Sequence, residues 1–260
     1  MLLIPYMQDL PLLRTFSNTL LQRHRQTELM DSPDLEQSLH DAALAGLRRI
    51  NRWSRTGAAI WSGISDLVAQ CTPQQELTIL DIACGSGDQA LWLARRLQQQ
   101  GIRHRIHGVD ISGTAVAAAA QQALQAGVSN ISFHQCDVLH DPFPLPQYDV
   151  VMNSLFLHHL DEPQVVRVLQ RMAGAARRRV VIDDLRRTRL GYFLAWTGCR
   201  LLSRSPIVHF DGPVSVEGAF TDSEMLQLSA QAGLQSARLQ RHWPQRFLLT
   251  WQPDRTLSNE

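Results

Sequence analysis

The sequence predicts a doubly wound α/β fold, with a mostly parallel seven-stranded sheet closed by an antiparallel hairpin. Three observations carry this reading. Five short apolar runs, at 77–83, 105–110, 130–136, 148–153 and 179–183, each end in a polar or turn residue. The stretches 88–100, 114–126 and 164–173 between them are rich in Ala, Leu, Arg and Gln, all good helix formers. Strands alternating with helices describe βαβ units whose sheet is covered on both faces. Finally, two strand-like runs at 237–242 and 246–251 are too close together for a helical crossover, so they must pair antiparallel.

The elements follow in order. Residues 1–74 show no strand alternation and form a helical extension, with helices expected at 38–49 and 58–70. Asp31-Ser32-Pro33-Asp34 has the composition of a helix start. Residues 75–252 form the α/β domain, in which Gly101 and Gly127 fall where helix C-caps are needed. An insertion at 186–218 follows the fifth strand, and His209-Phe210-Asp211-Gly212-Pro213 within it reads as a loop. Thr221-Asp222-Ser223-Glu224 is a capping sequence for a helix ended by Gly233. Residues 253–260 are a tail.

Composition excludes several functions. The 260 residues carry a formal net charge of +1 and are only 19% charged, which argues against a nucleic-acid partner held by counterion release. All 25 basic residues are arginine, so there is no P-loop lysine, Schiff-base lysine or lysine general base. The four cysteines, Cys71, Cys84, Cys136 and Cys199, form no C-x-x-C pair. Neither a metal site nor a disulfide framework is expected, and a reducing cytoplasm is the natural compartment. The N-terminus is apolar but lacks a basic leading region and is broken by Pro5, Asp9 and Pro11, so it does not read as a signal peptide.

The most informative segment is Leu77-Thr78-Ile79-Leu80-Asp81-Ile82-Ala83-Cys84-Gly85-Ser86-Gly87-Asp88, a strand running through Gly-x-Gly into a helix. Glycines there let backbone approach a ligand, and the helix start presents unpaired amides. The spelling also satisfies a dinucleotide fingerprint. Asp81 and Asp88 separate the two readings, because both place negative charge where a pyrophosphate would lie. A carboxylate at position 81 suits a ligand with a positive end, such as the sulfonium and ammonium of S-adenosylmethionine (SAM). Asp110, ending the next strand, can accept from ribose hydroxyls in either cofactor class.

With these residues in view, the sequence resembles the class I, Rossmann-like, SAM-dependent methyltransferases over about residues 75–252. Residues 77–90 are similar to the family's first motif, 107–111 to its ribose-binding acidic loop, Cys136-Asp137-Val138 to its adenine contact, and 148–160 to its fourth-strand motif. The resemblance implies SAM as cofactor, bound by Asp81, Ala83, Gly85, Gly87, Asp110, Ile111, Asp137, Val138 and Asn153. Ala83-Cys84 departs from the glycine found in many members. The N-terminal segment from Arg25 resembles a bacterial subgroup that often accompanies type III polyketide synthases and acts on phenolic or quinone-like lipids.

Methyl transfer to oxygen needs orientation and usually deprotonation. His158 and His159 follow the fourth strand, and Asp184 ends the fifth, beside the switch point where α/β folds bind ligands. These are the candidate catalytic residues, with either histidine open as the base. The expected acceptor is a hydrophobic phenolic, quinone-like or polyketide-type molecule methylated on a hydroxyl. A C-methyltransferase of quinone-type lipids, a non-catalytic SAM-binding partner protein and an NAD(P)-linked oxidoreductase are the alternatives. The family's N-methylating tetrapeptide is absent, and Asn153-Ser154-Leu155-Phe156 stands in its place. Residues 186–204 combine arginines with aromatics, which suits a substrate lid, a membrane contact or a dimer interface.

Overall fold

The computed structural model describes residues 20–31 and 35–253. Helices α1 (Gln37–Trp53) and α2 (Thr56–Val68) precede the sheet. There follow β1 (Leu77–Ile82), α3 (Asp88–Gln99), β2 (His104–Asp110), α4 (Gly113–Gln125), β3 (Ile131–Gln135), β4 (Tyr148–Ser154), α5 (Glu162–Ala175) and β5 (Ala176–Leu185). Helices α6 (Arg189–Leu202) and α7 (Pro206–Gly218) form the insertion, and α8 (Asp222–Gln231), β6 (Arg238–His242) and β7 (Arg246–Trp251) close the chain. Residues 32–34 of the expected helix start, the apolar N-terminus up to residue 19, and 254–260 of the tail lie outside the described residues.

The sheet order is β3-β2-β1-β4-β5-β7-β6. Strands β1 to β5 pair in parallel, and β7 joins β5 and β6 antiparallel. The mostly parallel seven-stranded sheet is therefore as the sequence predicts. Strand order reverses between β1 and β4, so loops leaving their carboxyl ends diverge and open a crevice there. Central strands buried on both faces explain the unbroken apolar runs: six of the seven residues of β4 are buried.

Two hydrophobic layers cover the sheet. Leu77, Ile79, Ile106, Val150 and Val181 meet α2, α3 and the end of α4 on one face. Leu80, Ile82, Val151 and Ile182 meet α5 and α8 on the other. Alternate residues of one strand thus serve opposite layers. Buried Arg179 on β5 donates to the carbonyl of Gly63 at 2.7 Å and to Asp66 Oδ2 at 2.7 Å, tying α2 to the sheet.

A third, smaller core lies over the carboxyl ends of the strands, where Ala43 of α1 packs with Cys199 of α6 and with Ile207 and Val208 of α7. The cap over the crevice is therefore built from both the N-terminal extension and the insertion. Residues 209–213, expected as a loop, are helical here despite Pro213. Pro206 and Ser205 supply a helix start. The buried Asp211 carboxylate accepts from the backbone amides of Leu29 (2.8 Å) and Met30 (3.1 Å), fixing this stretch against the N-terminal segment. Tertiary anchoring outweighs the local proline signal.

Ile64 of α2 is fully buried against the sheet. Ile64→Ala is expected to lower unfolding stability by about 2–5 kcal/mol, read from the urea midpoint. A loss below about 0.5 kcal/mol would show that α2 is not part of the cooperative core.

Candidate active site

The turn after β1 begins the site. Ala83 (φ 54°), Gly85 (φ 53°) and Gly87 (φ 79°) all adopt left-handed backbone. Gly87 has a packing reason as well: a Cβ there would lie 2.7 Å from the Phe133 ring. At Gly85 a Cβ would meet nothing within 4 Å, because the backbone faces an open cavity. The Gly85 amide donates to Asp110 Oδ2 at 2.8 Å, and Ser112 donates to Oδ1 at 2.9 Å. One carboxylate thus joins the loops after β1 and β2.

That cavity, of about 800 Å3, is lined by Ala83, Gly85, Asp110, Ile111, Asp137 and Val138, so six of the nine predicted cofactor residues converge on it. Ile111 is exposed, a flat apolar surface beside an acid. The Asp137 carboxyl is held below its ordinary range by His140 Nδ1, 2.7 Å away, and by the amide of Leu139. Gly87 lies behind the turn, where it packs on Phe133.

Asp81 and Asn153 are different. Both are buried in the sheet beneath the cavity floor, Asn153 completely, and neither lines the cavity. Asn153 Nδ2 approaches Met172 Sδ at 3.6 Å, while Asn153 Oδ1 and Asp81 Oδ2 have no hydrogen-bond partner among the described residues. Burial, and then the negative charge of Asp110, push the Asp81 carboxyl up to about 8. Unsatisfied buried oxygens are costly and call for a nearby donor or positive charge.

A second cavity, of about 340 Å3, adjoins the first and lies under the cap. Leu44, Leu47 and Ile50 of α1 and Leu194, Ala195 and Leu202 of α6 supply apolar walls. The two cavities share Glu28, Ala83, Gly85, Leu155 and His159. Leu155 also has positive φ (54°), unusual for a large side chain, and Ala83 shares that strain.

The predicted catalytic residues come together at this junction. A single turn of 3-10 helix at Leu157–His159 follows β4. His158 Nδ1 lies 2.6 Å from Asp184 Oδ1, both side chains being buried, and Asp184 Oδ2 accepts from the amide of Leu157 at 2.8 Å. Neighbouring Asp183 points to the opposite face, where it meets His242 Nε2 at 2.7 Å and Arg246. Burial disfavours a charged His158, but Asp184 and Glu28 outweigh it and raise its pKa to about 10. His159 goes the other way: burial, then the positive His158 ring 4.2 Å away, lower it to about 4. At neutral pH one histidine is therefore an imidazolium and its neighbour neutral.

Sequence reasoning missed Glu28. Its Oε1 lies 3.7 Å from His158 Nε2 and 3.9 Å from His159 Nε2, and accepts from the Ser215 hydroxyl at 2.5 Å. The pairing with His158 overcomes its burial and keeps its carboxyl below the ordinary range. Arg23 donates to the carbonyls of His158 (3.0 Å), Leu160 (2.6 Å) and Gly218 (2.6 Å), and Arg25 to that of His159 (2.8 Å), so this N-terminal strap grips the histidine turn. Glu28 is 130 residues from His158 in the chain and follows no spacing rule; only the strap's arginines hint at it.

Residues 79–179 match the protein family described as "Methyltransferase domain". This segment is thus similar to methyltransferase domains. Over 138 residues the chain is 31% identical to the 2-phytyl-1,4-naphtoquinone methyltransferase of Trichormus variabilis, covering 52% of this chain and 58% of that protein. It is 28% identical over 107 residues to the ubiquinone/menaquinone biosynthesis C-methyltransferase UbiE of Cellvibrio japonicus, covering 40% of this chain and 42% of that protein. The chain thus spans about half the length of the curated relatives it matches. The methyltransferase fold extends beyond the matched segment. The plantazolicin methyltransferase BpumL, solved with S-adenosylhomocysteine (SAH), superposes with a TM-score of 0.64 at 16% identity, over 85% of this chain and 90% of that one. The residues lining the larger cavity fit SAM: an open glycine turn at Gly85, an acid at Asp110 on the adjoining strand end and the exposed apolar side chain of Ile111 beside it.

Asp81 makes stability pH-dependent. Its carboxyl titrates near 3.8 when unfolded and at about 8 when folded, so between these values the folded chain holds the extra proton. The associated stability is present at acid pH and is lost as pH rises through the folded value. Thermal midpoints of the wild type should fall relative to those of Asp81→Asn between about pH 5 and 8.5. Parallel curves would show that Asp81 ionises normally.

Proposed function

We propose that this protein is a SAM-dependent methyltransferase that transfers a methyl group to a hydroxyl of a hydrophobic phenolic or quinol-type small molecule. One observation carries the proposal: the cavity beside the glycine turn opens, past His159 and Glu28, into an apolar cavity under the cap. SAM, when bound, supplies an electrophilic methyl on a sulfonium, and the chain's task is to orient and deprotonate the acceptor.

On this reading His159 takes the proton. It lines both cavities, and its pKa lies well below neutrality. Bound SAM would supply the methyl to the acceptor oxygen and retain the C–S electron pair as the thioether, and the acceptor's hydroxyl proton would pass to His159 Nε2. Glu28, 3.9 Å from that atom, compensates the imidazolium that forms. The His158–Asp184 pair holds the turn and keeps Glu28 ionised, which makes both positioning residues. The naphthoquinone and ubiquinone names among the relatives support an acceptor of quinol type, and the UbiE likeness favours carbon as the second reading. In that case the same histidine removes a ring or hydroxyl proton and the methyl goes to carbon.

His159→Ala is expected to lower kcat by about 10²–10⁴-fold on a quinol panel while SAH affinity, measured by calorimetry, stays unchanged. Asp110→Ala should instead weaken SAH by about tenfold or more, since it removes the ribose-height acid and frees the Gly85 turn. Unchanged turnover in both His158→Ala and His159→Ala would sink the base role. SAH binding without methyl release to any acceptor would favour a non-catalytic SAM-binding partner. Mass spectrometry of the product separates oxygen from carbon methylation.

A further inference from the structure

We propose that the outer face of α6, together with the mouth of the capped cavity, docks on an anionic phospholipid bilayer. Helix α6 is apolar on two sides. One side, through Leu194, Ala195 and Leu202, walls the acceptor cavity. The other leaves Leu190, Phe193, Trp196 and Leu201 exposed, Phe193 at 55% and Leu201 at 79%. No described residue covers them, although a helix with a single buried stripe would carry polar residues there.

The patch continues across the cavity mouth. Trp53 both lines that cavity and is 46% exposed, and its ring meets exposed Trp243 edge-on at 5.1 Å between centroids. The β6–β7 turn that bears Trp243 abuts the start of α6, since a Cβ on Gly191 would lie 3.4 Å from Gln245 Cβ. Tryptophan and phenylalanine beside aliphatics at a rim are the residues favoured at the boundary of headgroups and acyl chains.

Charge selects the partner. From Leu185 to Phe210 the chain has five arginines and no acidic residue. Arg186 and Arg187 are neutralised by Asp222 and Glu224. Arg189, Arg200 and Arg204 carry no ion pair among the described residues, and Arg200 stacks on Trp196 at 4.1 Å. A cationic fringe around exposed aromatics fits a negatively charged lipid surface. A neutral protein surface would leave those charges uncompensated. Since the cavity opens within the patch, a lipid-dissolved acceptor can pass from bilayer to site without crossing water. That last step rests on the acceptor class proposed above; the docking itself does not.

The test is co-sedimentation of the whole protein with vesicles of phosphatidylcholine alone and of phosphatidylcholine mixed with phosphatidylglycerol. Binding is expected to the mixed vesicles, weakened by salt. It should fall about tenfold or more in Phe193→Ser/Leu201→Ser, and also in Arg189→Gln/Arg204→Gln. None of these four side chains lines either cavity, so turnover of a short-chain, water-soluble quinol should persist in both variants. Absence of sedimentation with either vesicle would overturn the proposal. So would a dimer in light scattering that dissociates in Phe193→Ser/Leu201→Ser, since the face would then belong to a second copy. Lipid binding without any methyl transfer would instead leave docking standing and refute the enzymatic reading.

Discussion

The buried pair of His158 and Asp184 holds the chemical end of this molecule together. The two groups lie 2.6 Å apart, and each is there because of the sheet: β5 carries Asp184 to its end, and the turn after β4 brings His158 alongside. A carboxylate so deeply buried is stable only with a charged partner and further donors. It receives them from His158 and from the amides of Leu157 and Leu185. The resulting imidazolium then draws in a second carboxylate, Glu28, from the opposite end of the chain. Around this alternation of charge the strap, the histidine turn and the cap find their places.

Much of the fold was legible in the sequence because the sheet is parallel and central. Buried strands must be apolar throughout, and their crossovers must be helical, so both leave periodic traces. The larger cavity was legible for a related reason. Its residues sit at the carboxyl ends of successive strands, where the turn after β1 needs glycine at 85 and 87 and the strand after it ends in Asp110. The acceptor side left weaker traces. Residues 209–213 read as a loop on the strength of Pro213, yet they form part of α7, anchored through Asp211 to amides almost two hundred residues away. Glu28 stood within a polar stretch whose role depends wholly on tertiary placement. Asp183 and Asp184 were distinguishable in principle, since adjacent strand residues face opposite ways. Asp184, the candidate named from the sequence, is the one that faces the histidine turn, while Asp183 faces the other way.

The site also shows how strain and burial are spent. Ala83 and Leu155 hold left-handed backbone without being glycine, and both sit where the cavities meet. Asp81 and Asn153 keep oxygens unsatisfied beneath the floor. Each is unfavourable in the protein alone, and all four lie at or beneath the place where the loops after β1 and β4 diverge.

The division between matched and unmatched sequence follows this geometry. Segment 79–179 contains all nine residues that the sequence predicts for the cofactor, together with the histidine turn itself. Glu28, α1, Asp184 and α6 all lie outside it. The loops ringing the larger cavity and the helical walls of the capped one therefore come largely from separate stretches of chain. Under the proposed function, substitutions in the cap would change the acceptor's surroundings while leaving the glycine turn and Asp110 in place.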